Sequence, residues 1–209
     1  MHLHDHRFIT SDDECYFLGE YTARKGFSHS ETNDKIISLK MKPSIQYSSP
    51  ARFKYKRRAI EYWGRMLAGA LPVDEAQKAI WVPIPGSCPI GDPEFDDRLV
   101  QIIEYAYKGG VTIASPFRQK SLRVAAHDSH ERPDSETLVS EWTFDVSTIS
   151  SEAGQIIIFD DVMVRGASFK AAKDLLKAHA VNATIRGVFL ARNIHDDPPI
   201  LFDMLDVFE

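Results

Sequence analysis

The sequence predicts an α/β protein: a mostly parallel, twisted sheet with helices on both faces, preceded by an N-terminal extension rich in β-hairpins. Three observations carry this. Apolar strand-like runs alternate with helical patterns over residues 57–192. The longest such run, Gln155-Ile156-Ile157-Ile158-Phe159, is continuously apolar, as a strand buried on both faces must be. And 209 residues with 44% apolar and 26% charged content suffice for one domain with additions.

The elements follow in order. In the extension, Cys15 to Tyr21 and Lys35 to Met41 mix apolar and polar residues in short runs, which predicts a hairpin or two. Arg57 to Leu71 places Ile60, Trp63, Leu67 and Leu71 at helical spacing, with Pro72 just beyond. Ala79 to Pro85 reads as a buried strand stopped by prolines, and Phe95, Leu99, Ile102, Ile103 and Ala106 give the apolar face of the next helix. Gly109-Gly110 ends it. A short strand at Val111 to Ala114 leads into Ser115 to Pro133, a polar stretch that reads as a long surface loop, and loops of this length are often functional. Trp142 to Val146 and Gln155 to Phe159 are strands, Ser168 to Ala180 a helix, and Thr184 to Ala191 the closing strand before an acidic tail. Trp63, Trp81 and Trp142 belong to the core. These divisions give an extension at 1–50, a core at 51–192 and a tail at 193–209.

Composition excludes several classes of function. Thirty acids against twenty-five bases, a net charge of −5, exclude a globally basic nucleic-acid binder. Cys15 and Cys88 have neither the partners nor the spacing of a disulfide framework or a structural zinc site, so a reducing compartment is expected. No run approaches the ~20 apolar residues of a membrane span, and Met1 to His6 lacks the apolar core of a signal peptide, so a cytoplasmic protein without a membrane partner is expected. Arg52, Lys54, Lys56, Arg57 and Arg58 read as a solvated helix face, with a phosphate or nucleic-acid contact as the alternative. His127 and His130, a single pair in a polar loop, read as solvent-exposed, with metal ligation as the alternative, and His2, His4 and His6 read as a disordered terminus.

The chemistry concentrates in Ile156 to Ser168. A buried strand delivers the adjacent carboxylates Asp160 and Asp161, and a turn containing Gly166 then opens into a helix. Two carboxylates at a strand end can accept hydrogen bonds from vicinal hydroxyls and favour a nearby cation. A turn entering a helix offers unpaired N–H groups and the positive end of the helix dipole, which suit a phosphate, and the Ser168 hydroxyl adds a donor. Arg165 is either a solvated residue at the helix start or a cation beside that phosphate. Gly86 to Asp92 has the glycine spacing of a P-loop, but Asp92-Pro93 stands where Lys-Ser/Thr is required, and a receiver domain would carry its acid pair on the first strand.

This segment resembles the phosphoribosyl-pyrophosphate (PRPP) signature of type I phosphoribosyltransferases, in which an apolar strand, two acids and a glycine turn follow one another. Val164 and Arg165 stand where two threonines are common, although a Val-Arg-Gly turn is found in the amidotransferase branch. Trp81 to Pro85, the helix from about Lys56 to Leu71 and the strand Val188 to Arg192 look like the corresponding parts of the ComF-like group. The resemblance implies that Asp160 and Asp161 contact the ribose hydroxyls, with Mg2+ nearby, held directly or through water. It implies a 5′-phosphate turn of Met163, Val164, Arg165, Gly166, Ala167 and Ser168. It implies a pyrophosphate loop at Ile84, Pro85, Gly86 and Ser87, often with a cis peptide, and a mobile catalytic loop holding Arg118, Lys120, Ser121 and Arg123. The ligand would be PRPP or a nucleoside 5′-phosphate, and the reaction displacement of pyrophosphate at ribose C1. The acceptor would be chosen by a variable hood, here residues 1–50 and the tail. The alternative is a non-catalytic sensor of PRPP or nucleotide acting on a protein or nucleic-acid partner. A homodimer is left open.

Overall fold

The computed structural model describes residues 6–122, 134–150, 152–179 and 182–194. Arg123, His127, His130, His2, His4 and the tail from 195 onward lie outside the described residues. Six strands form the main sheet: β1 (Cys15–Phe17), β2 (Glu20–Thr22), β3 (Ile80–Pro83), β4 (Thr112–Ile113), β7 (Gln155–Met163) and β8 (Thr184–Ile194). Every pairing in it is parallel, in the order β1-β8-β7-β3-β4, with β2 continuing along β8 beyond β1. Two further strands, β5 (Phe117–Gln119) and β6 (Trp142–Phe144), make a separate antiparallel pair.

Helices cover both faces, as the alternating pattern predicts. One apolar cluster joins Ile157 and Phe159 of β7 and Trp81 of β3 to α1 (Glu31–Leu39), α3 (Pro50–Ala70) and α5 (Arg98–Tyr107). The other joins Ile156 and Ile158 to α7 (Ala167–Ala178), α6 (Ser135–Glu141), Phe117 and Trp142. Alternate β7 residues feed the two clusters because successive strand side chains point to opposite faces. Two short helices, α2 (Ile45–Ser48) and α4 (Val73–Ala76), flank α3. Trp63, Trp81 and Trp142 are buried as expected. No helix among the described residues is long and apolar enough to cross a membrane.

The expected N-terminal hairpins are not formed. β1 and β2 pair with β8 rather than with each other, and Lys35 to Leu39 belongs to α1. Ser30 caps that helix by accepting from the Asn33 N–H, and Ile36 and Leu39 bury one face of it. The Asn33 side chain bonds both the N–H and the carbonyl of Thr22, which fastens α1 to β2. The stretch expected as a surface loop after Ser115 begins instead with β5, where Phe117 and Gln119 are buried. The basic run also needs one correction. Arg52, Lys54, Arg57 and Arg58 are exposed on α3, but Lys56 is buried.

Candidate active site at the end of strand β7

β7 outruns its neighbour. β3 pairs with it only as far as Phe159, whereas β8 continues to Met163. Asp160 and Asp161 therefore lie past the carboxyl end of β3, where one edge of β7 is open; such strand ends are where open α/β sheets bind ligands.

Two clefts meet there, and half-buried Asp160 lines both. The first is walled by Ile84, Pro85 and Gly86 from the loop after β3, by Phe95, which precedes α5 instead of lying on its apolar face as expected, by Arg98 at the start of α5, and by Phe117 and Arg118 of β5. The second is formed by the turn itself, Met163, Val164, Arg165, Gly166, Ala167 and Ser168, with Leu138 and Phe189. Gly166 has no side chain with which to cap α7, and the helix presents its first-turn N–H groups, its positive pole, at this end.

Gly166 has φ 82°, a left-handed conformation that glycine adopts without strain. A β-carbon there would also run into the Ile9 side chain. Ile9 belongs to a strap that braces the turn from outside: the His6 Nδ1–H donates to the Val164 carbonyl (2.6 Å), and the Phe8 N–H to the Arg165 carbonyl (3.0 Å). The Arg165 guanidinium lies over the Phe8 ring. His6, read from the sequence as part of a disordered terminus, is buried against the turn.

The two acids have different surroundings. Asp161 is buried, and its Oδ2 accepts from Arg98 Nη2 (2.6 Å) and Nε (3.2 Å), while its Oδ1 pairs with Lys40 Nζ (2.9 Å). Burial alone would raise its proton affinity, but the charges and hydrogen bonds of Lys40 and Arg98 outweigh it and hold this carboxyl well below the usual carboxylate range. Asp160 accepts the Asp161 N–H (2.8 Å). Burial first, and then the Asp161 charge, push it up to about 7. Behind them, Asp96 accepts from Arg98 Nη1 and Lys56 Nζ (2.7 Å each), and burial lowers the Lys56 proton affinity against the opposing pull of Asp96.

The expected site residues thus divide. Ile84, Pro85, Gly86, Arg118, Asp160 and the 163–168 turn converge on the two clefts. Ser87, Lys120 and Asp161 line neither, and the Lys120 ammonium is spent on the Ser140 carbonyl (2.7 Å). No cis peptide bond occurs among the described residues. Lys40, Lys56, Asp96 and Arg98 were not expected. Their sequence signals are the basic run that contains Lys56 and the acid pair followed by a start-of-helix arginine, Asp96-Asp97-Arg98.

A magnesium ion held between the two acids does not fit this donor set, because Asp161 is already committed to two cations. Among the described residues, no group of three or more His, Cys, Asp or Glu side chains is arranged to hold a metal.

No protein-family model matches the chain, and no curated protein matches it.

Proposed function

We propose that the protein binds a phosphorylated ribose, PRPP or a nucleoside 5′-phosphate, and transfers or removes the phosphoribosyl group in the manner of a type I phosphoribosyltransferase. The observation that carries this is the position of Asp160 at the junction of a phosphate-suited turn and the first cleft, which is edged by Arg98 and Arg118. A ribose bridging the clefts puts its 5′-phosphate on the N–H groups of residues 166–168 and its C1 substituent toward Arg98 and Arg118.

The residues then have distinct tasks. In the transferase reaction a nucleophile forms a bond to C1 while the C1–O bond to pyrophosphate breaks, and the bonding pair leaves with the pyrophosphate. Positive charge develops on the ribose and negative charge on the departing group. Asp160, whose proton affinity lies near neutrality, can accept from or donate to a ribose hydroxyl, and its ionised form opposes the positive charge. Arg118, exposed at the rim of the first cleft, faces the negative charge.

Calorimetry with PRPP in magnesium buffer tests binding, and pyrophosphate release against purines, pyrimidines and ammonia tests turnover. Asp160→Asn is expected to weaken PRPP binding by about tenfold or more. Arg118→Ala is expected to lower turnover more than affinity, and Lys120→Ala, whose ammonium is already tied to Ser140, to change neither. Binding unaltered by Asp160→Asn would overturn the reading. The engagement of Lys120 away from the clefts favours a second reading, a sensor that binds PRPP without turning it over, and binding without pyrophosphate release would select it.

A further inference from the structure

We infer that Lys40 and Arg98 are resident counter-cations of the acid pair, occupying the electrostatic role of a divalent metal, so that the phosphoribosyl ligand binds here without magnesium. This rests on the reading of the site as phosphoribosyl-binding.

Magnesium demands near-octahedral oxygen coordination and usually reaches a protein through one or two carboxylates plus water. A carboxylate offers about four lone-pair sites. Three on Asp161 are filled: two on Oδ2 by Arg98 and one on Oδ1 by Lys40. On Asp160, Oδ1 already accepts the Asp161 N–H. A divalent ion would have to displace one of the cations or sit beside both.

The cations are held in place by a continuous network. Lys56 Nζ donates to the carbonyls of Leu39 (2.6 Å) and Met41 (2.9 Å), the residues on either side of Lys40, and so fixes the backbone from which Lys40 reaches Asp161. The same Lys56 ammonium bonds Asp96, Asp96 bonds Arg98, and Arg98 bonds Asp161. Lys40 and Arg98 pair with Asp161, and Lys56 and Arg98 with Asp96, so both carboxylates carry their counter-charges before any ligand arrives. Lys40 comes from the end of α1, which makes the N-terminal extension part of the site.

Two measurements test this. Calorimetry with PRPP in excess EDTA and in magnesium is expected to give wild-type affinities within about threefold of each other. Lys40→Met, at a half-exposed position, is expected to lose about tenfold in EDTA and recover in magnesium, and Lys40→Arg to keep metal-free binding. Manganese titration followed by electron paramagnetic resonance, with no PRPP present, is expected to show no bound ion in wild type and a gained site in Lys40→Met. A tenfold or greater loss of wild-type affinity in EDTA, or a wild-type manganese site abolished by Asp161→Asn, overturns the inference. Absence of PRPP binding in both buffers overturns the phosphoribosyl reading instead, and the manganese titration then still decides whether Lys40 and Arg98 act as the resident cations.

Discussion

The two flanks of the β7 end are made of different materials. Toward α1 and α5 the wall is side-chain charge: three cations and two anions, bonded in series and centred on buried Asp161. Toward α7 the wall is backbone: a turn with one left-handed glycine, an uncapped helix start and an N-terminal strap bonded to its carbonyls. The charged flank is specific in its residues and rigid in its pairing, whereas the backbone flank needs a particular conformation and little side-chain identity. This is why the turn accommodates Val164 and Arg165, whose side chains do not set its conformation.

The largest effect is expected on the charged flank. Arg98→Met strips Asp161 of two hydrogen bonds and Asp96 of one, and breaking a buried pair in this way costs about 3 kcal/mol or more. Urea denaturation measures it, and a loss below about 1 kcal/mol would mean that Asp161 is solvated and that the two flanks do not differ. Next comes Gly166→Ala, which imposes a left-handed alanine worth about 1–2 kcal/mol and displaces Ile9. Adding Ile9→Ala should return the steric part and leave the conformational part, which separates the two causes by thermal unfolding.

The effect at the junction depends on pH. The Asp160 proton affinity is raised in the folded state, so the folded protein retains a proton that the unfolded chain releases from about pH 4 upward. Wild-type stability at this group is therefore undiminished below that range, falls as pH rises toward about 7, and stays reduced above it. Asp160→Asn should raise the melting temperature relative to wild type at pH 8, with a smaller gain at pH 5. An equal gain at both would show that Asp160 is not desolvated beside Asp161.

The same division explains what could be read from the sequence. β7, the turn and α7 form one continuous segment whose apolar run, acids and glycine announce their conformations locally, and Asp160 and residues 163–168 were found there. The charged flank joins positions 40, 56, 96, 98 and 161, which no local pattern connects. Lys56 was hidden in a run of basic residues whose other members are exposed. β1 and β2 find their partner about 170 residues downstream in β8, so their short mixed runs looked like hairpins that pair with themselves. α1 was obscured because Asn33 and Ser38 are buried polar residues on its inner face, interrupting the apolar stripe that marks a helix.

The strap over the 163–168 turn has a thermodynamic consequence. His6 and Phe8 hold the turn by contacts spanning more than 150 residues of sequence, so docking of the strap and the shape of the turn are one coupled equilibrium. A ligand that prefers the braced turn must also favour the docked strap, and whatever loosens the strap must weaken that ligand by the same factor. Residues 6–9 and the cleft of the 163–168 turn are in this sense two ends of a single binding isotherm.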